Sequence, residues 1–250
     1  GFGGVKIVNV NPNNAQRGLP AVAASYLLFS EKTGEHLALI NGSVLTARRT
    51  AAASALGARY LANPQAQTLL ILGAGRVASE LPDAFSSLFP IKKVLIWNRT
   101  PARSQSLLQE LESTERWNVE LVNDLQAAVA EADIISSATL AEQPILLGEW
   151  LQLGKHVDLI GSFTPSMREV DTAALQRSRV YIDTEAALHE SGDLLVPLRA
   201  GELKNSDICG SFYDLCKLTH TQHDPSAITL FKGVGHAVED LAAAIVAYQD

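Results

Sequence analysis

Apolar positions fall into two regimes along the chain. Over residues 5–10, 25–29 and 37–40, short β-prone runs are broken by polar turns, Asn11-Pro12-Asn13-Asn14 after the first and Thr33-Gly34 before the third. That pattern predicts antiparallel strands joined by turns. From Thr46 the texture changes. Residues 46–61 read TARRTAAASALGARYL, rich in Ala and Leu, and predict one long helix. Beyond Asn63-Pro64, β-prone runs at 68–72, 93–97, 118–122, 133–137, 156–160 and 179–183 alternate with helical patterns at 76–88, 101–113, 124–131 and 168–178. Such alternation predicts βαβ units, hence an α/β fold with a doubly wound parallel sheet. Pro82 predicts a kink in the first of these helices. A last strand at 228–232 leads through Gly233 and Gly235 into an amphipathic helix over 236–248.

Composition narrows the classes. Of 250 residues, 47% are hydrophobic and 19% charged, enough apolar material for a core of one large or two modest domains and too much for global disorder. The net charge of −7 and sequence pI near 5.4 argue against a dedicated nucleic-acid or anionic-membrane binder. No apolar run approaches the ~20 residues that span a bilayer. The chain opens GFGGVKIV, without a basic region ahead of an apolar one, so no signal peptide is expected. It also lacks an initiator Met, so it need not be a whole gene product. Two cysteines, Cys209 and Cys216, make no disulfide framework, and a reducing cytoplasm is the expected compartment.

Gly73-Ala74-Gly75-Arg76-Val77-Ala78 fits G-x-G-x-x-A between a predicted strand and a predicted helix. In that setting Gly73 permits the tight turn, Gly75 lets the backbone approach a pyrophosphate, and Ala78 lets helix and strand pack closely. The helix start at Arg76 and Val77 attracts the anion. The next strand ends before Asn98-Arg99-Thr100, at the position where an NAD enzyme carries Asp or Glu for the ribose hydroxyls. Here a guanidinium stands between an amide and a hydroxyl, a set suited to a 2′-phosphate. NADP(H) is therefore expected, with NAD(H) as the alternative. The competing reading is that Arg99 is solvated and the segment only caps the next helix. Thr139, after the fourth strand of the sheet, is expected to face the cofactor, because ligands lie off the carboxyl ends of such strands.

Several segments together resemble the ornithine cyclodeaminase/mu-crystallin family. They include Gly4-Val5-Lys6-Ile7-Val8, Gly18-Leu19-Pro20, Leu45-Thr46-Ala47-Arg48-Arg49-Thr50-Ala51-Ala52, Leu72-Gly73-Ala74-Gly75 and Ile96-Trp97-Asn98-Arg99-Thr100. Ala138-Thr139, Gly148-Glu149-Trp150-Leu151, Glu190-Ser191-Gly192-Asp193, Thr229-Leu230-Phe231-Lys232 and Val238-Glu239-Asp240-Leu241 extend the match in order along the chain. The resemblance implies a Rossmann NADP-binding domain over 63–205. It implies a smaller, discontinuous α+β domain for substrate and dimerisation, made of 1–62 and a return segment over 206–250, in a homodimer. Family chains are longer at the N-terminus, by roughly fifty residues on usual domain sizes, and a substrate arginine there cannot be assigned.

The implied chemistry is oxidoreductase chemistry on C=N and CH–NH groups: hydride exchange between nicotinamide and a carbon bearing an imine or amine beside a carboxylate. Lys6 and Arg49 are the implied substrate-site cations, Arg49 in preference to Arg48. Arginine offers bidentate geometry for a carboxylate, and Lys6 can hold the other oxygen or relay a proton. Taken alone, each reads as a solvated surface cation. Val234 and Gly235 are implied to meet the nicotinamide; the family's usual serine before that valine is Gly233 here. Where the cyclodeaminases place an aspartate for the substrate amine, this chain has Phe163, which cannot pair with an ammonium. A phenyl ring there favours an apolar pocket over an uncovered ring, although a plain packing role is open. The phrase Gly161-Ser162-Phe163-Thr164-Pro165-Ser166-Met167-Arg168-Glu169 is most similar to the Δ1-pyrroline-2-carboxylate reductase branch, whose substrates are small cyclic imino acids yielding L-proline or L-pipecolate. Ornithine cyclodeaminase activity and a non-catalytic NADPH-dependent ligand binder are the alternatives.

Other signals carry less. His220, His223 and Asp224 lie in a polar stretch with no third ligand at a suitable spacing, and the cysteines, seven apart, fit no zinc pattern. No metal is expected. His156 reads as structural, Glu185 and Glu190 as part of a solvated face, and no G-x-S-x-G is present.

Overall fold

The computed structural model describes every residue except 12–13, 15–16, 18, 20–21 and 250. Part of the expected turn at Asn11–Asn14, together with Gly18 and Pro20, lies outside the described residues. The chain divides into two units, Gly1–Thr50 with His236–Asp250, and Ala51–Gly235.

In the first unit, β1 (Phe2–Val10), β2 (Val22–Ser30) and β3 (His36–Asn41) form an antiparallel sheet in that order. Lys6 lies opposite Tyr26, and Val5 opposite Leu27, which faces Leu39 in turn. Tyr26 and Leu28 point to the opposite face from Leu27, where they pack with Leu45, Leu241, Ala244 and Ile245. Leu45 belongs to α1 (Gly42–Leu61), and the last three to α9 (Ala237–Gln249). α1 starts four residues before the sequence pattern suggests. Asn41 Oδ1 accepts the Ser43 and Val44 N–H groups at 3.0 and 3.2 Å, an N-cap that satisfies two otherwise orphaned donors.

The second unit is built on an eight-stranded sheet in the order β10-β9-β11-β8-β7-β4-β5-β6, parallel throughout. Its strands are β4 (Thr68–Leu72), β5 (Lys93–Trp97), β6 (Asn118–Leu121), β7 (Ile134–Ser137), β8 (His156–Leu159), β9 (Ser178–Ile182), β10 (Ile208–Ser211) and β11 (Ile228–Lys232). The helices α2 (Arg76–Ser86), α3 (Pro101–Glu112) and α4 (Leu125–Glu131) link the first four; α2 runs through Pro82. Leu69, Leu70, Ile71 and Leu72 are all fully buried, as a parallel strand covered on both faces must be. α1 continues into this unit on Ala51, Ala55, Ala58 and Leu61, all buried. A Cβ on Gly57 would come within 2.9 Å of the Phe231 ring, so glycine allows helix and strand to approach closely.

Three features differ from the pattern-based expectation. The helix expected over 168–178 is only α5 (Thr172–Gln176). Asp171 caps it by accepting the Ala174 N–H at 2.9 Å, and Val170 is instead bridged to Leu146. The short α6 (Ala187–Glu190), α7 (Gly192–Ala200) and α8 (Phe212–Leu215) and strand β10 had no periodic signature. The sheet also extends past residue 205, because β10 and β11 belong to it, and the unit boundary falls after Gly235.

Candidate functional site

Strand order reverses between β4 and β7: β5 and β6 lie on one side, β7 and β8 on the other. The crevice off the carboxyl ends at such a switch point is where α/β sheets bind ligands. Gly73 sits there with φ +111°, its N–H on the Trp97 carbonyl at 2.8 Å. A Cβ on it would lie 2.6 Å from the Ala138 carbonyl oxygen, so only glycine fits. Gly75 is the extended N-cap of α2, with no side chain capping it, and a Cβ there would meet nothing within 4 Å. Bare helix-terminal N–H groups facing open space fit a pyrophosphate. Arg76 is exposed; Val77 is half-buried against the core.

After β5, Asn98 Nδ2 donates to the Thr100 carbonyl at 2.8 Å, and Thr100 is the N-cap of α3 without a side-chain bond of its own. Arg99 and Thr100 are exposed. Arg99 makes no ion pair among the described residues. Its guanidinium stands at the turn available to an anion.

The remaining expected residues sit on loops at the same end of the sheet. Thr139 donates both its N–H and its hydroxyl to Glu169 Oε1, each at 2.8 Å. Phe163 is 49% exposed on the loop after β8. Val234 and Gly235 donate their N–H groups to Asp183 Oδ2 at 2.7 and 2.6 Å, while Asp183 Oδ1 accepts the Thr184 N–H at 2.6 Å. Gly235 has φ +89°.

Glu169 ends the phrase that resembles the reductase branch but carries no expected role there, and Asp183 has none either. Asp183 ends a predicted parallel strand, the one signal that could have marked it. Glu169, Asp193, Asp158, His156 and Lys232 are all fully buried. Asp193 Oδ1 accepts the Glu169 and Val170 N–H groups at 2.7 and 3.1 Å, and its Oδ2 lies 3.7 Å from Lys232 Nζ. Burial raises the Glu169 and Asp193 carboxyls, opposed by the Lys232 charge. Burial also pushes Asp158 up to about 7 and His156 down to about 3. The His220–Asp224 stretch is a loop whose Asp224 binds Ser226 and Arg179.

The first unit gathers Lys6 and Arg49. Lys6 Nζ lies 2.8 Å from Asp240 Oδ2 and 3.3 Å from Thr46 Oγ1. Arg49 Nε lies 3.1 Å from Asp240 Oδ1, and its Nη1 lies 2.7 Å from Glu239 Oε2. Thr46 and Arg49 share a face of α1 by their i,i+3 spacing. Glu239 and Asp240 occupy the first turn of α9, where the helix dipole favours acids. Gly4, Lys6, Tyr26, Val238, Asp240 and Leu241 line a small open cleft. Burial and then the Asp240 charge raise the Tyr26 hydroxyl. Arg48 is exposed, whereas Arg49 joins the cluster.

A doubly wound parallel sheet with a bare glycine turn at its switch point defines a Rossmann-type α/β fold. Residues 2–250 match the ornithine cyclodeaminase/mu-crystallin family, and the chain belongs to that family. It is 40% identical over 244 residues to the Δ1-pyrroline-2-carboxylate reductase of Paracoccus denitrificans, covering 96% of this chain and 77% of that protein. The Thermococcus litoralis Δ1-pyrroline-2-carboxylate reductase, solved with NADH and L-proline, superposes with a TM-score of 0.92 at 33% identity, over 98% of this chain and 77% of that one. An archaeal alanine dehydrogenase dimer with bound NAD gives a TM-score of 0.91 at 26% identity, over 100% and 77%. Among the described residues, no helix is long and apolar enough to cross a membrane.

Proposed function

We propose that this chain is an NADPH-dependent reductase of small cyclic imino acids, converting Δ1-pyrroline-2-carboxylate, and its six-membered homologue, to L-proline and L-pipecolate. The observation that carries the reading is the convergence of Lys6 and Arg49 on the two oxygens of one carboxylate, Asp240. Two cations spaced for one carboxylate group suit an imino carboxylate. Among the described residues, Arg49 Nη2 and the third Lys6 hydrogen remain to receive it. Lys6, Arg49, Glu239 and Asp240 sum to zero charge. A zwitterionic substrate, with a carboxylate and a protonated ring nitrogen, keeps that balance. In reduction the imine carbon gains a hydride and its nitrogen retains the proton as an amine, so the residues need to orient the ring and capture the carboxylate. Phe163, an exposed phenyl at the sheet's carboxyl edge, offers an apolar wall to ring methylenes and nothing to a second ammonium.

The dinucleotide would be held in the second unit, its pyrophosphate on Gly73, Gly75, Arg76 and Val77 and its 2′-phosphate on Asn98, Arg99 and Thr100. Thr139, Val234 and Gly235 would border the nicotinamide, which supplies the hydride when bound. Arg99 supports NADPH, while the Thermococcus relative carries NADH. The first unit would hold substrate and pair with a second copy. Val5 and Leu39, on the same sheet face as Leu27, are 50% and 77% exposed, an apolar row suited to a homodimer. The test is NADPH oxidation with the imine beside ammonia release from L-ornithine plus catalytic NAD⁺. Rapid imine reduction with negligible ammonia is expected; robust deamination of ornithine would overturn the assignment.

A further inference from the structure

We propose that Glu169 is a positioning residue, a single carboxylate that locks the loop after β7 to the loop after β8 and so fixes the floor on which the nicotinamide end of the cofactor rests. The functional half of this inference rests on the dinucleotide reading above.

Between β7 and β8 the backbone ladder runs out at Ser137 and Leu159, with one more bond from the Ile160 N–H to the Ser137 carbonyl at 2.8 Å. Beyond that point the chains part, and the Glu169 side chain takes over. Oε1 accepts the Ser137 hydroxyl at 2.6 Å and the Thr139 N–H and hydroxyl at 2.8 Å each; Oε2 accepts the Gly161 N–H at 2.6 Å. A Cβ on Gly161 would collide with the Thr139 carbonyl and with this carboxylate. The two loops are therefore stitched at closest approach.

All four partners are donors, which only an acceptor-only group can satisfy; an amide would turn its NH₂ toward one of them. The acid is itself held from behind, its N–H on Asp193 and its charge opposed by fully buried Lys232. A buried ionic cluster is an expensive way to fill a core, since apolar side chains of similar volume hold a fold as well or better. What the acid adds is a fixed geometry for the strand ends. One consequence is specific. Thr139 spends both its donors inward, and its methyl lies 3.4 Å from where a Gly73 Cβ would be. It meets the dinucleotide turn as a shaped wall, with no hydroxyl proton to give.

The test compares wild type, Glu169→Gln and Ser137→Ala by amide hydrogen exchange without cofactor, NADPH fluorescence titration and imine turnover. Ser137 is fully buried and can act only through the acid, so it stands in should Glu169→Gln fail to fold. The expected result is faster exchange confined to residues 138–141 and 160–164. NADPH binding should weaken about tenfold in Glu169→Gln, the scale of one lost hydrogen bond to a charged group, and less in Ser137→Ala. Unchanged exchange, uniformly faster exchange across the sheet, or local loosening with wild-type NADPH affinity and turnover would overturn the proposal. Wild type that binds neither NADPH nor NADH would overturn the dinucleotide reading itself, a distinct result.

Discussion

Arg49 donates its Nε to Asp240 at 3.1 Å across 191 positions of sequence, joining α1 to the first turn of α9. The same guanidinium reaches Glu239 through Nη1 at 2.7 Å, and its side chain is only 10% exposed. Arg49→Ala should strongly raise the Michaelis constant for the imino acid while leaving NADPH binding intact. Truncating one partner of a buried hydrogen-bonded charge pair costs about 2–5 kcal/mol. Steady-state kinetics beside an NADPH titration checks this; collapse of NADPH binding would move Arg49 to the pyrophosphate.

Arg99→Asp should shift preference from NADPH toward NADH, by removing a phosphate partner and supplying an acceptor for ribose hydroxyls. Because Arg99 is exposed, the loss on NADPH belongs at the low end of charged hydrogen bonds, about 1.5 kcal/mol. Dissociation constants for both nicotinamides decide it, and an unchanged NADPH value removes Arg99 from the site.

Phe163→Asp should slow imine reduction by withdrawing apolar contact, each buried methylene being worth about 0.8 kcal/mol. A side chain 49% exposed contributes little to folding, so stability should stay within about 0.5 kcal/mol of wild type. Initial rates with the imine, paired with a urea melt, separate the two effects. Faster imine reduction in the variant would place Phe163 outside the pocket.

Two buried groups predict opposing pH dependences. Asp158 in the folded chain holds its proton up to about 7, whereas the unfolded chain releases it near 3.8. The stability it confers is present below 3.8 and is lost as pH rises to about 7. His156 stays neutral when folded down to about 3, while the unfolded chain gains a proton below 6.5. The stability it confers is present above 6.5 and is lost as pH falls. Each slope is about 1.4 kcal/mol per pH unit, and between pH 4 and 6.5 they cancel. Relative to wild type, Asp158→Asn should therefore gain stability with rising pH over that window, and His156→Gln should lose it. Urea midpoints from pH 4 to 7 read both, and difference profiles that stay flat would refute the pairing.

The βα alternation was legible because strands buried on both faces, such as Leu69–Leu72, read as unbroken apolar runs. The glycine turn was legible because its chemistry lies in consecutive residues. Asp171 hid the start of α5: a pattern that looked helical from 168 contains the cap that forbids helix before it. The buried acids had no periodic trace. Glu169 and Asp183 are single polar residues whose partners include backbone N–H groups and hydroxyls distant in sequence, and Glu169 and Asp240 each stood in a quoted motif without a role. Lys6 and Arg49 came from the family resemblance, since neither differs in local sequence from a surface cation.

β11 lies between β8 and β9 in the sheet, yet it follows both in the chain. During synthesis β8 and β9 therefore wait, each with one open edge, until Ile228–Lys232 leaves the ribosome. A chain arrested before residue 228 presents two open strand edges, one on β8 and one on β9, each a template for wrong pairing with another nascent copy. The closing strand makes the sheet's assembly a long-range event that comes after both of its neighbours are made, and the interval between β9 and β11 is when those edges stand exposed.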